Sequence, residues 1–220
     1  VEPIFEAVLK TERALSVLLA KSPGLARARA GSDYLVESIP HWLYTGDTPL
    51  HLASAALRVD CAGLLLECGA DVNAQNRRGA RPLHYACDPR PRSGGVWDPD
   101  AQTTVIGLLI RHGADVDAPD KGGATALHRA VRARSAPAVR QLLKKEARVD
   151  TRFENMGSTP LHLAVQSTGA GGTAGTAEEQ LDIIRLLLKH GARETDRDYR
   201  GRQVIECATS ERIAAALRAY

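Results

Sequence analysis

Several things are scarce in these 220 residues, and each scarcity removes a class of protein. No apolar run approaches the roughly 20 residues needed to cross a bilayer, so no membrane span is expected. Neither charge sign dominates: 29 Lys+Arg stand against 26 Asp+Glu, and a net +3 is too small for the electrostatic footprint of a nucleic-acid binder. The four cysteines (Cys61, Cys68, Cys87, Cys207) form no C-x-x-C pair and are too sparse for a disulfide framework, which favours a reducing, cytoplasmic setting. No basic n-region with an apolar stretch follows Val1, so no secretory signal is visible, and the absent methionine reads as a processed or trimmed chain. Only nine residues are aromatic, so Leu, Val, Ile and Ala must build the core. At 44% hydrophobic and 25% charged, what remains is an ordinary globular chain of one large domain or two small ones.

What the chain has in abundance is self-similarity. Thr48-Pro49-Leu50-His51 returns as Arg81-Pro82-Leu83-His84, Thr125-Ala126-Leu127-His128 and Thr159-Pro160-Leu161-His162. A glycine stands two residues before each copy (Gly46, Gly79, Gly123, Gly157), and an alanine two residues after (Ala53, Ala86, Ala130, Ala164). Leu-rich runs then end at Gly69-Ala70, Gly113-Ala114, Glu146-Ala147 and Gly191-Ala192. From the first glycine to this second anchor the steps are 23, 34, 23 and 34 residues. The unit is therefore 33 residues long, and two units carry an 11-residue insertion at the same internal place. A degraded fifth copy begins at Gly201.

With these anchors recurring in phase, residues 46–220 resemble the ankyrin repeat family, and residues 1–30 resemble it loosely, as a first repeat without the signature. The resemblance implies an all-α fold: an ankyrin repeat solenoid of helix-turn-helix units with β-hairpin fingers, about six repeats including the caps. Residues 1–220 then form a single domain. Residues 1–45 are an N-terminal capping repeat with an extended hairpin loop, 46–78, 79–122, 123–156 and 157–200 are repeats, and 201–220 is a C-terminal capping repeat.

Elementary chemistry agrees. Thr48 and its equivalents are good N-caps, Pro49 suits the first helical position, and Arg81 is a poor cap that should start its helix less firmly. The Leu50 and Ala53 positions face inward. Gly69, Gly113 and Gly191 suit a left-handed residue after a helix end, where Glu146 should be strained by about 1 kcal/mol. Apolar Ile4 to Leu19 and Ile205 to Leu217, each with charged residues interspersed, read as end helices with a polar outer face.

A search for chemistry finds little. His51, His84, His128 and His162 belong to the signature, and the resemblance implies that they bond the cap and hold neighbouring units in register. His112 and His190 sit at helix C-termini, which leaves His41 over. A zinc site from Cys61, His84 and Cys87 lacks a fourth ligand. Gly169 to Ala174 matches G-x-G-x-x-[GA], but in a low-complexity stretch after a helix, so it reads as a loop. The P-loop, nucleophile-elbow and H-E-x-x-H patterns are absent, so no catalytic, metal or cofactor residues are assigned. Asn73 matches the position that is hydroxylated in some animal ankyrin repeats, and it is equally a turn-former.

Function should lie where the sequence departs from the repeat. An insertion at 31–45 holds Tyr34, Trp42 and Tyr44, either as a satellite core or as exposed binding residues. A second insertion, from Pro89 to about Gln102, holds Arg90, Arg92 and Trp97, packed back or serving as an anchor. The family's recognition edge, a concave face of hairpin tips and first helices, would carry Asn76, Arg77, Arg78 and Arg81, Asp120 and Lys121, Arg152, Phe153 and Glu154, and Asp198, Tyr199 and Arg200, with Tyr85, Arg129, Arg132 and Gln166 on the first helices. The residues assigned to partner binding are thus Trp42, Tyr44, Arg77, Arg78, Tyr85, Trp97, Lys121, Arg129, Arg132, Phe153, Tyr199 and Arg200. Arginine outnumbers lysine 23 to 6, which a GC-rich genome also explains. The expected protein is a monomeric, non-catalytic scaffold for a protein partner, without nucleic acid or membrane. The alternative is a recruiting or regulatory domain of a larger enzyme or secreted effector.

Overall fold

The computed structural model describes residues 3–36, 39, 41–88, 97–153, 156–166 and 177–220. Arg90, Arg92, Glu154 and the Gly169 to Ala174 stretch lie outside the described residues. The chain divides into two compact units, Val1–Asp115 and Val116–Tyr220.

In the first unit, helices α1 (Pro3–Lys10) and α2 (Glu12–Lys21) lead through a 3-10 turn (Pro23–Arg27) to an antiparallel hairpin, β1 (Tyr34–Val36) and β2 (His41–Leu43). Then come α3 (Pro49–Ala55), α4 (Val59–Glu67), α5 (Pro82–Cys87) and α6 (Pro99–Arg111). First helices stack on first helices, α1 on α3 and α3 on α5, while α4 packs on α6 behind them. The second unit repeats the plan with α7 (Ala126–Arg132), α8 (Ala136–Leu143), α9 (Pro160–Ala164) and α10 (Ala177–Lys189). It ends with a 3-10 turn (Ile205–Cys207), all that remains of the degraded fifth first helix, and α11 (Glu211–Arg218). The signature leucines Leu50, Leu83, Leu127 and Leu161 are buried, as are Ala53, Ala86, Ala130 and Ala164. At the chain's start Ile4, Phe5, Val8, Leu15 and Leu19 are buried, and at its end Ile213, Ala214 and Leu217.

The helix caps are reciprocal, with threonine and histidine both taking part. Nδ1 accepts the cap's backbone N–H in the pairs Thr48–His51 (3.0 Å), Thr125–His128 (3.2 Å) and Thr159–His162 (3.2 Å), and Thr159 Oγ accepts His162 N–H at 3.4 Å. Arg81 keeps the Nδ1 bond to His84 at 3.2 Å. Its side chain supplies no hydroxyl contact, as expected of a poor cap, and the backbone bond to the ring is retained. An Nδ1 that accepts leaves the proton on Nε2. Those Nε2–H groups reach the next unit's backbone: His51 to Ala80 O (3.1 Å), His128 to Ser158 O and His162 to Arg202 O (both 3.4 Å). Burial pushes all three imidazoles below their ordinary pKa, His128 to about 4, so each stays neutral and keeps both bonds.

The two repeat lengths solve one problem in two ways. After the short first helices, Leu57 and Arg134 take left-handed backbone (φ 52° and 54°), and the next N–H, of Arg58 or Ser135, bonds the carbonyl of Ala53 or Ala130. Where the insertions replace that tight turn, a glutamine supplies the donor: Gln102 Nε2 to Ala86 O (2.9 Å) and Gln180 Nε2 to Ala164 O (2.8 Å). These glutamines occupy the same position of their repeats. Glu146 adopts φ 60° where Gly113 has 88°, with the same pair of closing backbone bonds, so the expected strained cap is present.

Candidate functional site

The hairpin ends carry the candidate site, and one residue position organises them. In Asn76, Asp120 and Asp198 a side-chain oxygen accepts the backbone N–H groups two and four residues on, at 2.8–3.0 Å, and closes the turn. The other side-chain atom is then free to choose a partner. Asp120 takes Arg129 at 2.7 Å and Asp198 takes Arg202 at 2.7 Å. Burial opposes ionisation of both carboxyls, but the guanidiniums and loop N–H groups hold them below the usual carboxylate range.

In the first unit the polarity is inverted. Asn76 Nδ2 donates to Asp47 Oδ1 (2.9 Å), and Tyr85 Oη donates to Asp47 Oδ2 (2.7 Å), which also accepts Tyr44 N–H (2.7 Å). Asp47 is fully buried, and the Tyr85 ring sits edge-on to His41 and His51 with centroids at 4.7 and 5.1 Å. Burial and the Asp47 carboxylate hold the phenol far above its ordinary pKa, so it remains a donor. Tyr85, assigned to the binding surface, is only 5% exposed; it locks the hairpin loop to the repeats instead. Asn76 is likewise buried, not a tip contact.

The two readings of the first insertion meet in one hairpin. Pairing sets Tyr34 opposite Leu43, Leu35 opposite Trp42 and Val36 opposite His41. Strand alternation sends Val36 and Leu43 inward, where Ile39 joins them, and leaves Leu35 and Trp42 outside at 48% and 50% exposure. The half-buried Tyr44 accepts a bond from Arg78 Nη1 at 2.8 Å, and its ring lies 4.7 Å from the Arg78 and 5.4 Å from the Arg77 guanidinium. Arg77 grips Asp33 (Nε to Oδ1, 2.9 Å), which also accepts Thr45 N–H and Oγ–H. The Arg77 guanidinium, then the Thr45 N–H, hold the Asp33 carboxyl down at about 2.

Elsewhere the assigned residues divide between structural and exposed positions. Trp97 is half-buried and donates from Nε1 to Gln102 Oε1 (3.1 Å), orienting the glutamine that bonds Ala86, so it is packed back. Arg129 is committed to Asp120, and Arg132 is half-buried. Phe153 lies edge-on to His128 at 5.0 Å. Lys121 and Arg200 are exposed, and Tyr199 is 65% exposed although its ring lies over Gly157. Sequence reasoning missed Asp33, Leu35 and Asp47. A signal existed for Asp47 and Tyr85: they stand where the other repeats have Ala80, Ala124 or Ser158, and Leu52, Arg129 or Leu163, two departures in adjoining units.

Among the described residues no three His, Cys, Asp or Glu side chains gather to hold a metal, and no helix is long and apolar enough to cross a membrane. The Cys61 thiol points at Val8 O (3.8 Å), and burial pushes its pKa up. Asn73 Nδ2 donates to Gly113 O (2.8 Å) and its Oδ1 accepts Asp115 N–H (3.0 Å), so the side chain splices two successive loops.

Stacked helix pairs with hairpin ends and histidine caps define a helical repeat domain. Comparison with known families gives it a name. The profile "Ankyrin repeats (3 copies)" matches residues 100–198, and "Ankyrin repeat" matches 45–77 and 78–121. The chain belongs to the ankyrin repeat family, as an all-α protein-interaction repeat domain. It is 29% identical to the mouse B-cell lymphoma 3 protein homolog over 171 residues, 78% of this chain and 34% of that protein. It is 52% identical over 42 residues to the Drosophila melanogaster Neurogenic locus Notch protein, 19% of this chain and 2% of that one. A Caenorhabditis elegans Ankyrin repeat and LEM domain-containing protein 1 homolog is 58% identical over 38 residues, 17% of this chain and 5% of that protein. The chain thus spans a third or less of the length of these relatives.

Proposed function

We propose that this chain is a non-catalytic scaffold, monomeric and cytoplasmic, that binds a partner protein through the concave face expected of such repeats, its hairpin tips and first helices. Neither nucleic acid nor membrane is part of this reading. The observation that carries it is the division of labour among the polar residues. Histidines, Asn76, Asp47, Asp120, Asp198 and the two glutamines are spent on backbone bonds that build the repeats. Side chains at the surface of the hairpin ends include Trp42, Arg78, Lys121, Tyr199 and Arg200, residue types suited to a protein interface.

The test is affinity capture from native extract, comparing wild type with a folded variant carrying Arg78→Glu, Lys121→Glu, Tyr199→Ala and Arg200→Glu. A partner kept by wild type and lost by the variant is expected. Equal capture by both would refute the assignment of binding to these hairpin ends. A second reading, a recruiting part of a larger enzyme or effector, draws on relatives in which the matching segment is a third or less of the protein. The length of the full open reading frame separates the two.

A further inference from the structure

The β1–β2 hairpin is not part of the 33-residue repeat, and its outer face differs in kind from the repeat hairpins. Leu35 and Trp42 are directly opposed across the strands, each about half exposed. Trp42 and Tyr44 flank the fully buried Leu43, so alternation sets both on the other side from it. Tyr44 in turn holds the Arg78 guanidinium by its hydroxyl and its ring. The outcome is one strip that passes from aliphatic to indole to phenol to guanidinium.

The hairpin is held without that strip's exposed side chains. Val36, Ile39 and Leu43 anchor it from inside, and Asp33 ties it to Thr45 and Arg77. An opposed pair of this kind adds at most about 1 kcal/mol to a hairpin, and it leaves two large side chains half in water in a chain that has only nine aromatics. Among the described residues the charges along the strip are also unbalanced. Asp33 is engaged by Arg77 and Thr45, whereas Arg78 meets a neutral phenol. Tyr44 fixes the direction of that guanidinium, so little side-chain freedom remains to be lost when a carboxylate arrives.

We propose that this strip docks an acidic segment of a partner protein, with a bulky apolar side chain against Leu35 and Trp42 and a carboxylate on Arg78. The inference rests on the interaction reading above and adds to it the chemistry of the partner. Tryptophan and arginine are the residue types that dominate interfaces, and an arginine pairs a carboxylate through two parallel bonds. An anionic lipid surface fits less well, because such surfaces are held by clusters of about 4–8 basic residues and this strip offers one uncommitted arginine.

The experiment is selection of a random-peptide display library on the full chain, followed by titration of a recovered peptide. Recovered sequences should carry a bulky apolar residue beside Asp or Glu, and raised salt should weaken their binding. Trp42→Ala and Arg78→Glu should each weaken binding about tenfold or more, and Lys10→Ala, at an exposed position of α1, should leave it unchanged. Arg78→Glu should also turn a second selection towards basic peptides. Unchanged thermal unfolding of Trp42→Ala shows that the fold is intact, and Leu35→Ser serves as the substitute if it is not. Peptides without acidic residues, peptides that bind the variants as tightly as wild type, or an empty selection would each overturn the docking proposal. So would binding to phosphatidylserine vesicles that Trp42→Ala abolishes while no peptide binds. In any of these cases a partner captured through the other hairpin ends leaves the interaction reading standing, whereas failure of capture as well removes both.

Discussion

Asp47→Ala should be among the most damaging single substitutions in the first unit, although the residue is polar and in a loop. Its carboxylate is fully buried and accepts three donors: Tyr44 N–H and Tyr85 Oη–H at 2.7 Å and Asn76 Nδ2–H at 2.9 Å. Removing it leaves the Tyr85 hydroxyl and the Asn76 amide buried without this acceptor, while Tyr44, half-buried, can recover water at its N–H. An orphaned buried donor costs about 1–3 kcal/mol, and breaking a buried charged cluster costs about 3–5 kcal/mol, so a loss of about 3–5 kcal/mol is expected. Tyr85→Phe removes one bond to a charged acceptor and should cost about 1.5–3 kcal/mol. The two losses share a contact, so the double variant should be more stable than their sum predicts, by about 1 kcal/mol or more. Urea unfolding followed by far-UV circular dichroism measures all three. A loss below about 1 kcal/mol for Asp47→Ala, or additive behaviour within about 0.5 kcal/mol, would refute the latch.

Four further outcomes follow from the repeats. The folded-state pKa of His128 is about 4 against an ordinary 6.5, so between these values the unfolded chain binds a proton that the folded chain refuses. Stability is therefore full above about pH 6.5 and falls as pH drops towards 4, by about 3 kcal/mol from this residue, with His51 and His162 acting in the same direction. Urea midpoints across that range should slope upward with pH, less steeply in His128→Asn, and a flat profile would defeat the neutral-cap argument. Glu146→Gly should raise stability by about 0.5–1 kcal/mol by relieving the left-handed backbone at φ 60°, and a lower melting temperature would contradict it. Gln102→Leu should cost about 1–3 kcal/mol, because Ala86 O and Trp97 Nε1–H both lose their partner, and a neutral result in chemical unfolding would remove the surrogate-donor account. Leu83→Ala should cost about 2–5 kcal/mol in the same assay, and an unchanged midpoint would sink its assignment to the core.

The parts of the molecule readable in advance are those that recur. A position that appears four times in phase has to satisfy the same local demands four times, which is why the inward leucines and alanines and the helix-end glycines could be inferred from spacing, while the register role of the histidines came from the resemblance to ankyrin repeats. The reciprocal cap was not readable in full, because threonine and histidine each accept the other's backbone N–H and only the first half follows from threonine's preference for the N-cap. The glutamine donors were missed for a related reason. Gln102 and Gln180 look like surface residues of a second helix until it is seen that they bond Ala86 O and Ala164 O, the carbonyls equivalent to those that Arg58 and Ser135 bond in the shorter units.

The candidate site was harder to read, and Tyr85 shows why. On a repeat template its position points outward, as Arg129 does, and an aromatic there suggests binding. Its fate was set by a residue 38 positions earlier, Asp47, which offers the buried carboxylate that a phenol can fill. Arg129 reaches the same end with the opposite charge arrangement, since there Asp120 carries the carboxylate and the arginine covers it. In these two units the position fastens a repeat to its hairpin, by whichever donor matches the acceptor beneath it, whereas Leu52 fills it with a buried apolar side chain. Outward-facing positions that fasten the fold are thereby distinguished from those that do not. Trp42, Arg78, Lys121, Tyr199 and Arg200 remain as side chains whose surface placement the repeat architecture does not require, and binding is to be sought there.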